Sequence, residues 1–520
     1  MPRTARHDDG VRVTPELDRL LAHNGTETHA ALSVELVADT ETPISLFRKL
    51  AGDRPGAFLL ESVEGGELLG RYSFLGCDLV NRLESLDGHT LLRTARGDET
   101  QAGPLLGILR EWLGQRSVLA RPDLPRFQGG AVGYVGFDAV RGFEPVPLPD
   151  APGLGLPEAR LLLCEDLCIF DHLKHRIVLV THVPLAGDRT AAWQAGAARL
   201  QGLVDRLDRE LPPERLARLQ PHESTEELVQ GLEVTANRSR EDLMQAVEQA
   251  REAITAGEVF QVVVSRRFTV QGALPPFEVY RALRSLNPSP YMFYFQFADF
   301  CVAGASPEVL VRLEADELLV RPIAGTRKRG ATHEHDLALE RDLLADEKEL
   351  AEHRMLVDLG RNDLGRVAAL GTVRVEDPLH IERFSHVMHL VTDVRAQLAP
   401  GFDACDVLQA CFPAGTVSGA PKVRACELLA TLEPDRRGLY AGAVGWFGWQ
   451  GDMDTCIAIR TVVLEPGRAH VQAGAGVVFD SVPAHEADEC WNKARAGLAA
   501  IALTKERVRR AQAWMTGGAA

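Results

Sequence analysis

Ser239-Arg-Glu-Asp-Leu-Met-Gln-Ala-Val-Glu-Gln-Ala-Arg-Glu-Ala-Ile-Thr-Ala-Gly257, followed directly by Glu258-Val-Phe-Gln-Val-Val-Val-Ser265, is the stretch that sets the fold class. Its first part reads as a helix: Ser239 caps the start with Asp242 as capping-box partner, Leu243, Val247, Ala250 and Ile254 share one face, and Gly257 stops it. The second part is rich in β-branched residues, which fit a pleated strand. Outward from this pair, strand-like runs recur at 291–304, 308–321, 440–448, 455–464 and 469–479, with a hairpin-like turn at Glu465-Pro-Gly467. Helical patterns at 336–359, 403–412, 421–432 and 484–503 fall among them. No regular βαβ alternation appears, so the pattern predicts an α+β fold in which antiparallel sheets are covered by helices.

Upstream, Gly56-Ala-Phe-Leu-Leu-Glu-Ser62, the Gly65-Gly66 turn and Gly70-Arg-Tyr-Ser-Phe-Leu75 read as a hairpin. Polar helices and Pro-containing connectors (Leu211-Pro-Pro-Glu214, Gln220-Pro-His222) place a domain junction near 225. The expected organisation is a flexible segment 1–27, an N-terminal domain 28–225, a C-terminal domain 226–510 and a tail 511–520. At 520 residues, 45% hydrophobic and 25% charged, the chain is long enough for two or three domains and too hydrophobic for disorder. Its 57 basic and 73 acidic residues sum to −16, spread along the chain, which excludes a general nucleic-acid or anionic-membrane binder. An anionic ligand must therefore meet a local basic site. Nine scattered cysteines without a CxxC read as reduced thiols of a cytoplasmic protein. No signal-peptide core and no run of ~18 apolar residues is present, so the expectation is a chain neither secreted nor membrane-spanning.

Three constellations can carry chemistry. Glu349 and Glu352 stand three residues apart in one helical pattern, and Glu486 and Glu489 repeat the spacing in another, so each pair shares a helix face. Two such helices could offer carboxylate oxygens to Mg²⁺, although such pairs also cover solvated faces, and neither helix supplies a zinc-type His/Cys set. Gly415-Thr-Val-Ser-Gly-Ala-Pro-Lys422 leaves backbone N–H groups and the Thr416 and Ser418 hydroxyls for an anion, or is simply a tight turn. It lacks the P-loop ending, and Ala473-Gly-Ala-Gly-Val477 lacks the third glycine of a dinucleotide site. The basic run Arg321–Gly330 is either solvated surface or a carboxylate contact through Gly325 and Thr326. Arg460 and His389, isolated polar residues in apolar strands, need partners if buried.

Together these segments resemble anthranilate synthase component I, the chorismate-using subunit of tryptophan biosynthesis. The similarity spans roughly residues 45 to 505. It is densest in Phe260-Gln-Val-Val-Val-Ser-Arg-Arg-Phe268, Asn287-Pro-Ser-Pro-Tyr-Met292, Gly304-Ala-Ser-Pro-Glu308, Pro322-Ile-Ala-Gly-Thr326, Leu356-Val-Asp-Leu-Gly-Arg-Asn-Asp363, Gly415–Lys422 and Gly474-Ala-Gly-Val477. The resemblance implies two intertwined domains of antiparallel sheets flanked by helices. It also implies a lyase reaction in which chorismate and ammonia give aminodeoxyisochorismate, which loses pyruvate to become anthranilate. By similarity, Glu349, Glu352, Glu486 and Glu489 surround Mg²⁺, with Glu352 and Glu489 as direct ligands. Substrate contacts come from Gly325, Thr326, Tyr440, Arg460, Gly474, Ala475, Gly476 and Lys493. Glu308 matches the general acid for the departing C4 hydroxyl, with a raised pKa, Thr416 stands near the ring, and His389 is tied to pyruvate elimination.

Departures separate the relatives. Isochorismate and salicylate synthases carry a lysine base where Gln261 stands, and aminodeoxychorismate synthases carry a lysine where Ala324 stands. Amination followed by aromatisation is the implied outcome. Leu59-Leu-Glu-Ser62 and Asn287–Met292 resemble the segments of a tryptophan feedback pocket, with Ser62, Pro290, Tyr291 and Met292 as inhibitor contacts. They also read as a strand edge and a Pro-rich turn. No cysteine sits in a glutaminase elbow, so glutamine-derived ammonia implies a glutamine amidotransferase subunit, in a heterodimer or heterotetramer. A catalytically silent tryptophan-sensing protein on the same fold is the non-enzyme alternative.

Overall fold

Helix Arg240–Thr255 forms as its sequence dictates: Ser239 accepts from the Asp242 N–H, Asp242 reaches back to Ser239, and Leu243, Ala246, Val247 and Ala250 are buried. It leads into the strand Gln261–Gln271 of a large sheet. The chain was analysed as a computed structural model that describes residues 11–62, 70–101, 103–211, 224–383 and 387–515. Within them lie two sheets, of 13 and 12 strands, paired antiparallel except where His29–Val37 meets Val118–Leu119.

Both sheets are built from both sides of residue 225. In the first, Ala57–Glu61 pairs with Tyr72–Gly76 on one edge and Tyr291–Gln296 on the other. In the second, Gly130–Val135 lies between Ala159–Cys164 and Ala443–Gly448. The predicted hairpin of 56–75 is present, its Gly65-Gly66 turn lying outside the described residues. The two-residue turn Pro466-Gly467 joins Thr461–Glu465 to Arg468–Val477. Tyr291–Gln296 shows why its sequence lacks polar alternation, for it is buried on both faces. Met292 and Tyr294 enter one core, and Phe293 and Phe295 enter another with Phe58, Val132, Tyr134, Val444 and Cys456 between the sheets.

Three expectations change. The single helical pattern 336–359 is two helices, His333–Ala345 and Glu347–Gly365. Asp346 breaks it by taking an extended backbone and accepting from the Lys348 and Glu349 N–H groups, a competition that short acidic side chains win at helix starts. The last helix, Pro483–Met515, continues into the expected tail. Residues 11–27, expected to be loose, carry a short helix, Leu17–Leu21, held by Arg189 bonding the Leu20 and His23 carbonyls and by Trp193 bonding the Pro15 carbonyl.

A buried ion pair fixes the floor beneath the strand Gln261–Gln271. Arg437 and Glu433, 2% and 4% exposed, bond at 2.8 Å. Arg437 also donates to the Val263 and Val417 carbonyls, and Glu433 accepts from the Ser265 N–H and hydroxyl. Burial alone would raise the Glu433 pKa, yet the charge and hydrogen bonds of Arg437 hold it below the ordinary range. Removing one partner of such a pair strands a buried charge. Glu433→Ala should therefore lower the free energy of unfolding by about 3–5 kcal/mol in denaturant titration; a loss below about 1 kcal/mol would mean that Arg437 is not held by this carboxylate.

Candidate active site

Residues from distant segments converge on one cavity of about 700 Å³. The strand Ile323–Lys328 brings Gly325 and Thr326, the strand Val387–Gln397 brings His389, and Arg468–Val477 brings Gly474 and Gly476. Helix Glu347–Gly365 contributes Glu349 and Glu352, and helix Pro483–Met515 contributes Glu486, Glu489 and Lys493. Glu308, Thr416, Tyr440 and Arg460 also line it. Ala475 is the exception: strand alternation turns its side chain into the apolar core, leaving the flanking glycines toward the cavity.

Glu308 is the most perturbed carboxyl here. Burial raises its pKa to about 7, against the opposing hydrogen bond from Thr416 and the charges of Lys493 and Arg460. Thr416 Oγ1 donates to Glu308 Oε1 at 2.7 Å, which aims the carboxyl. The loop carrying Thr416 is not the open anion cradle its sequence suggests. Ser418 is fully buried and donates to the Ala414 carbonyl, while Lys422 forms a buried pair with Asp363 at 2.9 Å and bonds the Cys411 carbonyl. The motifs 356–363 and 415–422 are thus tied together structurally.

His389 Nδ1 lies 3.2 Å from the Gly325 carbonyl and 3.0 Å from Thr326 Oγ1. A carbonyl only accepts, so Nδ1 carries the proton and the neutral ring has its lone pair on Nε2. Burial lowers the pKa of this ring, the bond to Gly325 opposes the shift and Arg460 adds to it. Gly325 has φ +68°, a left-handed backbone suited to glycine, and a Cβ there would approach Leu343, Leu390 and Glu349 within 3.2 Å. Arg460, itself at φ +52°, has its pKa lowered by burial. Lys493 bonds the Gly474 carbonyl at 3.1 Å and pairs with Glu489.

The four glutamates line this same cavity. Burial raises the pKa of Glu349, as does its neighbour Glu352; burial also raises Glu486, with Glu489 adding to the shift and a Ser481 bond opposing it. No three His, Cys, Asp or Glu groups among the described residues converge into a ready cage. The donors are hard oxygens that repel one another, which suits a hard divalent cation. Gln261 Nε2 donates to Glu352 Oε1 at 3.1 Å, while its buried Oε1 has no partner among the described residues. In the basic run the arginines are paired: Arg321 with Glu382 and Asp393, Arg327 with Asp342 and Asp346, Arg329 with Asp336.

Asn287, Ser289, Lys348 and Ser481 also line the cavity and escaped sequence reasoning. Asn287 and Ser289 sit in the motif assigned only to an inhibitor pocket. The four residues expected there, Ser62, Pro290, Tyr291 and Met292, line a second cavity of about 90 Å³ between the sheets, with Arg312 and Asp454. Tyr291 donates to Asp454 at 3.0 Å and accepts from Arg312 at 3.0 Å. Pro290 borders both cavities.

Known proteins match this arrangement. The family profile described as chorismate binding enzyme matches residues 86–499. Anthranilate synthase component 1 from Pseudomonas putida is 46% identical over 485 residues, 91% of this chain and 96% of the relative. That from Acetivibrio thermocellus is 45% identical over 472 residues, 90% and 94% of the two chains. The crystal structure of anthranilate synthase component I from Streptococcus pneumoniae superposes with a TM-score of 0.74 at 35% identity, covering 89% of this chain and 99% of that one. The menaquinone-specific isochorismate synthase from Escherichia coli, 21% identical with a TM-score of 0.66 and covering 94% of this chain and 98% of that one, shares the fold. By sequence and architecture together, the chain belongs to the chorismate binding enzyme family, among the anthranilate synthase component I proteins.

Proposed function

We propose that this cavity binds chorismate and carries out its amination and the following loss of pyruvate, making the chain the large subunit of an anthranilate synthase. The observation that carries the reading is a half-buried carboxyl, Glu308, with its pKa raised to about 7 and held by Thr416 in a cavity that also presents Arg460, Lys493 and His389. Arg460, Lys493, Tyr440 and the backbone of Gly325, Thr326, Gly474 and Gly476 receive the two carboxylates of the substrate. Protonated Glu308 gives its proton to the C4 hydroxyl, which leaves as water while ammonia adds at C2. His389, neutral by burial and with its lone pair on Nε2, is suited to take a ring proton as pyruvate departs. Gln261 and Ala324 both line the cavity, so neither position offers an amine to activate water or attack the ring.

Glu349, Glu352, Glu486 and Glu489 are the residues that would hold Mg²⁺, Glu352 and Glu489 directly. The ion would offset the ring carboxylate and the negative field of the four glutamates. Ammonia is expected from the glutamine amidotransferase subunit of a cytoplasmic complex. In support, the nine cysteines are free thiols, eight of them buried, and no helix among the described residues is long and apolar enough to cross a membrane. Tryptophan is the inhibitor proposed for the small cavity between the sheets. Binding there would bear on Pro290, which also borders the catalytic cavity, and so could couple the two sites.

Purified protein given chorismate, Mg²⁺ and ammonium at mildly alkaline pH should form anthranilate, read by its fluorescence; salicylate or isochorismate as product would overturn the assignment. Glu308 offers a second test with a definite sign. Its pKa rises from the ordinary 4.5 to about 7 on folding, so the linked stability is full below the unfolded value and is lost as pH rises through 7. Glu308→Gln removes that loss and should exceed the wild type in stability near pH 8 by up to about 3 kcal/mol, with parity near pH 4. The same substitution should slow amination by about 100-fold or more. Retained rate, or equal stability at both pH values, would take the acid role from Glu308. Ser62→Leu, which fills the small cavity, should relieve tryptophan inhibition while leaving uninhibited turnover near wild type; unchanged inhibition would refute that pocket.

A further inference from the structure

One face of the strand Arg468–Val477 is far more polar than its burial calls for. Alternation puts Ala469, Val471, Ala473, Ala475 and Val477 into apolar cores, and His470, Gln472, Gly474 and Gly476 on the opposite face. The neighbouring strand Gln261–Gln271 sets Thr269 opposite His470, Arg267 opposite Gln472, Ser265 opposite Gly474 and Val263 opposite Gly476. A polar band therefore runs along two adjacent strands, from the catalytic cavity toward the Glu465–Arg468 turn at the sheet's end. Ser265, Arg267, His470 and Gln472 are each under a tenth exposed. Thr269 and His470 bond at 2.9 Å, Gln472 donates to Ser265 at 2.8 Å, and His470 reaches Glu465 at 2.8 Å. These hydrogen bonds offset the cost of burial, but an apolar pair of the same shape would be about as stable, so stability alone does not call for the band.

A small cavity of about 20 Å³ lies on the band, lined by His470, Gln472, Arg267, Arg437, Thr461 and Tyr440. That volume suits one molecule the size of water. Arg267 borders it with a buried Nη1 that has no hydrogen-bond partner among the described residues. Half-buried Leu154 also borders it. Tyr440 lines this cavity and the catalytic one alike, and its hydroxyl packs so close to Gly474 that a Cβ there would come within 2.8 Å of it.

We propose that this band is the route by which partner-derived ammonia reaches the ring, with the small cavity as a waiting place and Tyr440 as the last barrier. The inference rests on the reading that the chain aminates chorismate with ammonia from a glutaminase subunit. Ammonia matches the lining: it is water-sized, and it both donates and accepts hydrogen bonds. Arg267 and Arg437 already engage the carboxylates of Asp435 and Glu433, leaving neither carboxylate to hold ammonium, and burial disfavours the charged form, so the nitrogen passes unprotonated with the lone pair that amination requires. No bond is made or broken on the way.

The test uses the complex with the glutaminase subunit and two variants outside the catalytic machinery. Gln472→Leu makes the band apolar at nearly constant size, and Leu154→Trp adds bulk beside the small cavity at a half-buried position. In both, anthranilate formation from glutamine should fall about tenfold or more as the high local ammonia concentration is lost. Formation from saturating ammonium, which enters through the open mouth of the large cavity, and the KM for chorismate should stay near wild type, and glutamine hydrolysis should continue. The ammonium rate of each preparation also reports that the variant has folded. Loss of both rates together, or a wild-type ratio of glutamine to ammonium rates in both variants, would overturn the route. Wild-type complex that makes anthranilate from ammonium and none from glutamine would instead overturn the partner reading, and the route with it.

Discussion

The backbone pairing that splices distant parts of the chain into each sheet is the constraint from which the rest follows. Ala57–Glu61 sits between Tyr72–Gly76 and Tyr291–Gln296, and Gly130–Val135 sits between Ala159–Cys164 and Ala443–Gly448. These strands are buried on both faces, so their N–H and C=O groups have no recourse to water and must find one another. Neither side of residue 225 can complete a sheet alone. The small cavity lies at this seam, lined by Leu60 and Phe74 from before residue 225 and by Phe293, Val444 and Cys456 from after it. Pro290 is a wall shared by this cavity and the catalytic one, so the seam and the catalytic cavity are in direct contact.

Desolvation gives the catalytic cavity its chemistry. Burial raises the pKa of Glu308, Glu349 and Glu486 and lowers that of His389 and Arg460. In every case burial disfavours the charged form, the common sign expected where water is scarce. The cavity thus gathers groups whose charged forms a compensating charge would stabilise. On the proposed reading, a dianionic ring substrate would supply it to Arg460, and a divalent cation would supply it to the carboxylates. The net charge of −16 spread over the chain is no obstacle to an anion at such a place, because the local field is set by groups a few ångströms away.

Much of this was legible in the sequence, and the rest was hidden for identifiable reasons. The capping box at Ser239, the hairpin turn at Pro466-Gly467 and the β-branched run from Val262 are local signals that tertiary packing left intact. The break at Asp346 was not visible because its flanking residues keep a helical pattern and only the side chain's bond to its own backbone ends the first helix. Residues that line the cavity were legible where a motif carried them. Arg437, which braces the Val263 and Val417 carbonyls, belongs to no such motif, and its role depends on a partner four residues away being buried with it. The polar band was equally unreadable, since Gln472 and His470 look like ordinary polar residues of a half-exposed strand until both faces prove to be covered.

Gln261 joins specificity to this electrostatic balance. Its amide donates to Glu352 Oε1 and leaves its own oxygen buried without a partner among the described residues, an arrangement that costs stability. A lysine at the same place would remove the orphaned oxygen and set a cation beside Glu352. It would also draw that carboxylate away from any metal and give the cavity a base able to activate water once deprotonated. Gly476 leaves room for the amide, since a Cβ there would meet Gln261 Nε2 at 2.7 Å. On the proposed reading, the neutral side chain would do two things that a lysine cannot do together: orient Glu352 without neutralising it, and deny water the proton acceptor that hydroxylation would need. A nucleophile that arrives already unprotonated needs no such acceptor, which is why an amide at this position favours nitrogen over oxygen at the ring.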